Sequence, residues 1–274
     1  MTPAKVPPGV DQSRPSAARI YDCLLGGENN LPVDQAAVEM LKARAPELVD
    51  SAYANRGFHQ RAAKWIAEQG VSQFIDIGSG LPTVGNTHEV VRKVSAAARV
   101  VYVDNDPLVL EHGSYLLAGD DAATVIQADL RDPAAVLAND ELRGLIDFSE
   151  PVGVLMTAVV HFVADTDDPA GLIARYLTPL AVGSYLSLSH MTGDQKPPLA
   201  VQTILEVGRR ASGGSYVRSK DEVRAFFDGL EIVQPYAGAA PDVTWVGLWN
   251  CEDAELADSE GSRWLYCAVA RKIG

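Results

Sequence analysis

The stretch Phe74–Pro82, FIDIGSGLP, decides the fold. Its first four residues form a short apolar run of the kind that becomes a buried strand, and the run stops at Gly78-Ser79-Gly80. Glycines at such a point let the backbone turn sharply and approach a ligand closely, because no Cβ stands in the way. A strand feeding a glycine turn is the entry to a nucleotide-binding α/β unit. Asp76, however, places a carboxylate two residues before the first glycine. Beside a pyrophosphate that charge would repel. The third glycine of a GxGxxG dinucleotide fingerprint is also missing, since Thr83 holds its position and Pro82 precedes it. An NAD-dependent oxidoreductase is therefore the weakest of the nucleotide-binding readings.

Outward from this turn, the chain after Gly70 alternates short β-rich runs with helical stretches. The runs are QFIDIG, RVVYVD, ATVIQAD, VGVLMTAVV and SYLSLSH. Near-continuous apolar strands separated by helices predict a parallel sheet covered on both faces. Asp106-Pro107, Asp132-Pro133 and Asp168-Pro169 each set a capping residue before a proline at the first helical position. Ser219 and Glu222 form a capping-box pattern, a helix closes at Gly229, and RWLYCAVARK supplies a last strand. Before Gly70 the pattern is helical: SAARIYDCLLGG, then Asp34–Ala45, then Glu47–Gln69 with an apolar stripe of Phe58, Ala62, Trp65 and Ile66. The expected organisation is a mobile tail over 1–15, a helical lid segment over 16–70 and a sheet domain over 71–274.

A ligand carrying an ammonium and a sulfonium is attracted by Asp76 where a pyrophosphate is repelled, and S-adenosylmethionine is such a ligand. The other strand ends agree, because ligands of open α/β sheets sit outside the carboxyl ends of the strands. Asp104 closes the second strand, where it can accept hydrogen bonds from both ribose hydroxyls, with Asn105 bordering the adenine. Asp129 closes the third and can accept from the adenine amino group, with the Leu130 amide near the ring nitrogens.

Composition narrows the partners. The chain has 274 residues, 47% of them hydrophobic, enough for a substantial core. Lys plus Arg number 23 against 36 Asp plus Glu, a net charge of −13 that opposes binding to nucleic-acid backbones or anionic membranes. No run reaches the about 18 apolar residues of a spanning helix. The three cysteines form no CxxC pair, so neither a metal site nor a disulfide framework is expected, and a cytoplasmic setting is the default. The sequence leaves a homodimer open.

The blocks ARIYDCLLGGENN, NRGFHQRAAKWIAEQG, FIDIGSGLPTVGNTHEV, VVYVDNDP and DGLEIVQP together resemble a bacterial S-adenosylmethionine-dependent methyltransferase-like family, once catalogued as a domain of unknown function. The resemblance covers about residues 15–272. It implies the class I methyltransferase Rossmann-like sheet, seven strands with the last inserted antiparallel, and an N-terminal helical segment over the cofactor. Read beside it, LPTVGNTHE lets Asn86 and Glu89 cap the following helix, with Thr87 capping and Thr83 the better contact to the cofactor's carboxylate. In the first block Arg19, Tyr21, Asp22 and Asn30 are many polar groups for a short helix, and the resemblance points some of them at the site. Arg56 either pairs with the methionine carboxylate or lies on a solvated helix face.

Methyl transfer needs an in-line nucleophile shielded from water, and a base when that nucleophile is an alcohol or a protonated amine. Past the fourth strand, Thr157 lies at the strand end and His161 follows a turn later. His161 is the base candidate by residue type, ahead of His190; a packed structural role is the alternative for each. The fourth strand lacks the D/N-P-P-aromatic motif of amino-group methylation on bases, and no Pro-Cys nucleophile is present. Cys23 reads as core. The leading expectation is O- or N-methylation of a small molecule; the rival from another class is a cofactor-binding regulator or sensor without turnover.

Overall fold

The computed structural model describes residues 10–274; positions 1–9 of the expected mobile tail lie outside the described residues. Three helices come first, α1 (Ala17–Leu24), α2 (Pro32–Lys42) and α3 (Leu48–Glu68). Alternation follows through β1 (Gln73–Ile77), α4 (Thr87–Val91), β2 (Arg99–Asp104), α5 (Pro107–Leu116) and β3 (Ala123–Gln127). It continues with α6 (Pro133–Ala138), α7 (Asp140–Leu145), β4 (Gly153–Thr157), α8 (Pro169–Leu177) and β5 (Tyr185–Met191). The chain ends in α9 (Pro198–Ser212), α10 (Lys220–Ala225), β6 (Leu230–Ile232), β7 (Thr244–Trp245), α11 (Ala254–Ala257) and β8 (Leu265–Lys272).

The strands form one sheet in the order β3-β2-β1-β4-β5-β8-β6. The first five run parallel, and β8 inserts antiparallel between β5 and β6. This is the class I methyltransferase arrangement, with one correction to the expected seven strands. An eighth, β7, pairs Thr244 and Trp245 with Cys267 and Tyr266 of β8; two residues are too few for strand alternation to show in a sequence. The strand expected over VGVLMTAVV also stops early. Ala158 takes a left-handed φ of 54°, its amide donating to the Ser189 carbonyl at 3.1 Å, so the chain leaves the sheet directly after Thr157. Among the described residues, no helix is long and apolar enough to cross a membrane.

Strand alternation sends successive side chains to opposite faces, and both faces are packed. Ile75, Ile77, Val154 and Met156 belong to one core layer. Phe74, Val100 and Leu155 belong to the other, with Phe58, Ala62 and Ile66 of α3. Asp76 shares the parity of Phe74 and therefore points at α3, which brings that helix's polar residues to the end of β1. Because β1 leads outward to β2 and β3 while β4 and β5 lie on its other side, the chain's reversal point sits between β1 and β4. Crevices open at such switch points.

The N-terminal helices are tied down by a buried ion pair. Arg19 Nε donates to Asp34 Oδ2 at 2.7 Å, and both side chains are almost fully buried. Asp34 also accepts the amides of Ser16 and Leu31, at 2.9 and 2.8 Å. Arg19 Nη2 donates to the carbonyls of Arg14 at 2.6 Å and Asp11 at 3.3 Å, so the described part of the expected tail is tethered. Ser16 Oγ then donates to Asp106 Oδ2 at 2.6 Å, linking the start of α1 to the end of β2.

Breaking a buried pair from one side leaves an uncompensated charge, at a cost of about 3–5 kcal/mol. Arg19→Met should therefore lower stability in urea denaturation by about 3 kcal/mol or more. It should also open the 10–16 segment to limited proteolysis.

Candidate functional site

A cavity of about 680 Å³ lies at the carboxyl ends of β1, β2, β3 and β4, within the roughly 300–1,000 Å³ range of small-molecule sites. Its other walls come from the 10–21 segment, α3, and α9. Gly78 and Gly80 have φ of 69° and 66°, angles that side chains rarely adopt. A Cβ on Gly78 would also stand 2.2 Å from Val159. The turn is organised from the neighbouring strand end, since Gly80 N donates to Asp104 Oδ2 at 2.9 Å and Asp106 N to Asp104 Oδ1 at 3.0 Å. Burial raises the Asp104 pKa against the pull of these two amides.

Asp76 is the buried acid of the site. Thr87, the first residue of α4, donates its hydroxyl to Asp76 Oδ2 at 2.6 Å, so it serves the acid and not, as expected, the helix cap, which is Asn86. The expected capping box does form, with Asn86 N donating to Glu89 Oε2 at 2.8 Å. His59 of α3 completes the cluster, with Nε2 2.8 Å from Thr87 Oγ1 and Nδ1 3.0 Å from Thr157 Oγ1. Thr87 has one proton and gives it to Asp76, so His59 Nε2 must be the donor to Thr87 and Nδ1 the acceptor from Thr157. A directed string results: Thr157 to His59, His59 to Thr87, Thr87 to Asp76. Burial drives the Asp76 carboxyl up to about 6, only partly opposed by the Thr87 hydrogen bond and the Arg56 charge. Burial, and then Arg56, push His59 down to about 3.

Most of the residues singled out from the sequence meet at this cavity: Asp76, Gly78, Ser79, Gly80, Asp104, Asn105, Asp129, Leu130, Thr157, Arg19, Tyr21, Arg56 and His161 all line it. Their engagements differ. Asp129 is paired with Arg131 at 2.5 Å, which lowers its pKa. Arg19 is committed to Asp34, and Tyr21 donates to the Ala52 carbonyl at 3.0 Å. Arg56 donates from Nη2 to the Gly85 carbonyl at 3.0 Å and faces the acid rather than solvent.

Two expected contacts stand away from the cavity walls. Thr83 lies farther along the turn, its amide held by Asn86 Oδ1 at 3.0 Å. Asn30 folds back on its own loop, donating to Asp22 Oδ2 at 2.9 Å and the Gly27 carbonyl at 2.8 Å.

His161 is buried at the wall with Nδ1 unpartnered among the described residues. Burial and the Arg218 charge lower it to about 3. His190 is taken up by structure: Arg218 Nη1 lies 2.7 Å from its Nε2, and its Nδ1 donates to the Met191 carbonyl at 2.7 Å. The sequence reading missed His59, Asn55 and all of α9. His59 and Asn55 stand four apart on α3, on a helix face that also carries Arg56. The polar spacing could have signalled a site-facing stripe. Helix α9 was signalled by Pro198 at its start, Ile204 and Val207 three apart, and Gly213 after its end.

The unsatisfied atoms of the cavity fit a zwitterionic amino-acid group. Arg56 Nε and Ser79 Oγ are buried without a hydrogen-bond partner among the described residues, both beside Asp76. Buried donors of this kind are costly unless something accepts from them. A ligand carboxylate is an acceptor of the kind both atoms lack, and an ammonium is the counter-charge that suits Asp76.

A family model described as S-adenosyl methyltransferase matches residues 3–273. Among solved structures, a candidate methyltransferase from Thermobifida fusca YX superposes with a TM-score of 0.89 at 37% identity, covering 98% of this chain and 98% of that one. A DUF574 family protein from Streptomyces avermitilis MA-4680 gives a TM-score of 0.87 at 37% identity, covering 96% of this chain and 99% of its own. No curated protein matches.

The raised Asp76 pKa has a sign that ligand-free protein should display. Folding favours the neutral acid, so the contribution is full below the unfolded value of 3.8 and is lost as pH rises through about 6. Asp76→Asn removes that dependence. By urea denaturation, the variant should gain stability relative to the parent chain as pH rises across this window, and level off above it.

Proposed function

The chain belongs to the S-adenosyl methyltransferase family, and from that premise we propose that it methylates oxygen or nitrogen on a small-molecule acceptor. Bound in the cavity, S-adenosylmethionine supplies an electrophilic methyl carbon on a sulfonium. The observation that carries the reading is a buried carboxylate set beside two unsatisfied donors at a glycine turn. Asp76 faces the ammonium, while Arg56 Nε and Ser79 Oγ receive the carboxylate. Asp104 accepts from the ribose hydroxyls with the oxygen lone pairs its two amides leave free, and Asn105 borders the adenine. Asp129 and the Leu130 amide read the adenine edge. Thr157 and Tyr21 stand toward the acceptor. His161 borders the acceptor too, and its nearness to Arg218 suits it to a neutral ring offering a lone pair at Nδ1 rather than to a charged imidazolium.

The small-molecule assignment rests on a cavity of about 680 Å³ on a chain of net charge −13. Residues 16–70 act as the lid. Support comes from the Ser16 to Asp106 bond, which places the lid's first residue against the loop after β2, next to the ribose acceptor. Covering the site excludes water while the nucleophile is aligned.

Calorimetry with S-adenosylhomocysteine tests the site. Asp104→Asn keeps the side-chain shape but loses charged acceptance, worth about 1.5–3 kcal/mol, so affinity should fall about 10- to 150-fold with the fold intact. An unchanged affinity would remove Asp104 from the site. Binding should also weaken as pH falls through about 6, where Asp76 becomes protonated and no longer attracts the ligand's ammonium. In hydrogen exchange, amides of Ala17–Leu24 should gain protection on ligand addition; none would count against the lid.

A further inference from the structure

The cavity has two ends of different chemistry, and α3 spans the boundary between them. On one side His59 and Arg56 face Asp76 and the glycine turn. One turn earlier on the same helix, Asn55 donates to Tyr21 Oη at 2.9 Å and accepts from Ser189 Oγ at 2.6 Å. From Asn55 onward the walls change character. They are built by Ile20, Leu41, Leu48, Ile204, Val207 and Leu265, all buried side chains reaching the cavity from α1, α2, α3, α9 and β8. Tyr21 and Asn55, which border this chamber, are neutral and bonded to each other, with Ser189 behind them donating to Asn55. A charged acceptor placed deep among these walls would lose its hydration, with Arg19 already committed to Asp34 and Arg14 exposed to solvent, whereas an apolar one gains about 25 cal/mol for each Å² buried.

We propose, building on the methyltransferase reading, that the acceptor is a neutral, largely apolar hydroxy compound held between α1 and α9, with its hydroxyl at Thr157. The string at the boundary is what selects a hydroxyl. Thr157 already donates to His59 Nδ1, so its oxygen lone pairs are free to accept from the acceptor's O–H. As the acceptor oxygen bonds to the methyl carbon and the carbon–sulfur bond breaks, the hydroxyl proton moves to Thr157 Oγ1 and the Thr157 proton to His59 Nδ1. The sulfonium charge is thereby exchanged for one on His59, and the sulfur leaves as a neutral thioether. His59 Nε2 lies 3.7 Å from Asp76 Oδ2, with Thr87 between them, so an acid stands behind the new charge. Arg56 opposes a charge on His59 as Arg218 opposes one on His161, so the acid behind His59 is what sets the two rings apart.

The test uses binding to the full chain saturated with S-adenosylhomocysteine, with 1-naphthol as the neutral probe and 1-naphthoate as its anionic counterpart. The expectation is a preference for 1-naphthol of about tenfold or more. Val207→Trp should fill the chamber and abolish naphthol binding while leaving S-adenosylhomocysteine affinity unchanged; if that variant does not fold, Ala211→Phe on the same helix replaces it. Thr157→Val should weaken 1-naphthol by about tenfold and leave naphthalene unaffected. Naphthoate binding as well as naphthol, no naphthol binding at all, or naphthol binding indifferent to both the chamber and the Thr157 substitutions would each overturn the proposal. Failure of S-adenosylhomocysteine itself to bind would instead strike at the methyltransferase reading.

Discussion

A carboxylate buried at the end of the first strand is the constraint around which the site is arranged. Asp76 is 4% exposed, and an acid so placed is costly to ionise unless hydrogen bonds or charges surround it. The fold meets that demand from two directions. Helix α4 begins with Thr87, whose hydroxyl reaches the acid, and α3 crosses over the same strand end to bring His59 and Arg56 alongside. Neither helix could shift by a turn without leaving the charge unattended. The packing of α3 through Phe58, Ala62 and Ile66 thus fixes the electrostatics as well as the core. The residual mismatch, a pKa held near 6, is what a cationic ligand would relieve.

The parts of this arrangement that were legible in the sequence are those governed by local rules. Strand periodicity, the glycine turn and the Asp-Pro helix starts each depend on a few neighbouring residues. They led to the right sheet class and to acids at three strand ends. The parts that were not legible depend on residues brought together across the chain. His59 reads as one more polar position on a long helix until α3 is laid over β1, and its partners Thr87 and Thr157 are 28 and 98 residues away. Asn30 failed to reach the cavity for the opposite reason, a local one: Asp22 is buried below its loop and captures it. Arg19 shows a third case, in which a polar residue at the cavity wall spends its hydrogen bonds on holding the wall together.

Strain and unsatisfied groups gather where the cavity floor meets β4. Ala158 holds a left-handed angle next to Thr157, and Ser79 and Arg56 carry atoms without partners a short distance away. Such departures from local preference, each of order 1–3 kcal/mol, survive only where the surroundings over-determine them. Here the surroundings are the central strands and α3, whose facing side chains are buried in the core. The reactive end of the site is therefore mounted on the central strands and α3, and the acceptor end is shared among α1, α2 and α9 with Leu48 of α3 and Leu265 of β8.

The tether between Arg19 and the 10–16 segment bears on how fast the site exchanges its contents. That segment forms a wall of the cavity and is held by Arg19 to the Asp11 and Arg14 carbonyls, by Ser16 to Asp106, and by Arg14 to the Arg210 carbonyl at the end of α9. A ligand that left past this wall would have to wait for several of these bonds to open together. Residence time in the site would then be set by a local opening equilibrium of this segment, coupling turnover to the looseness of a stretch of chain that takes no part in the chemistry.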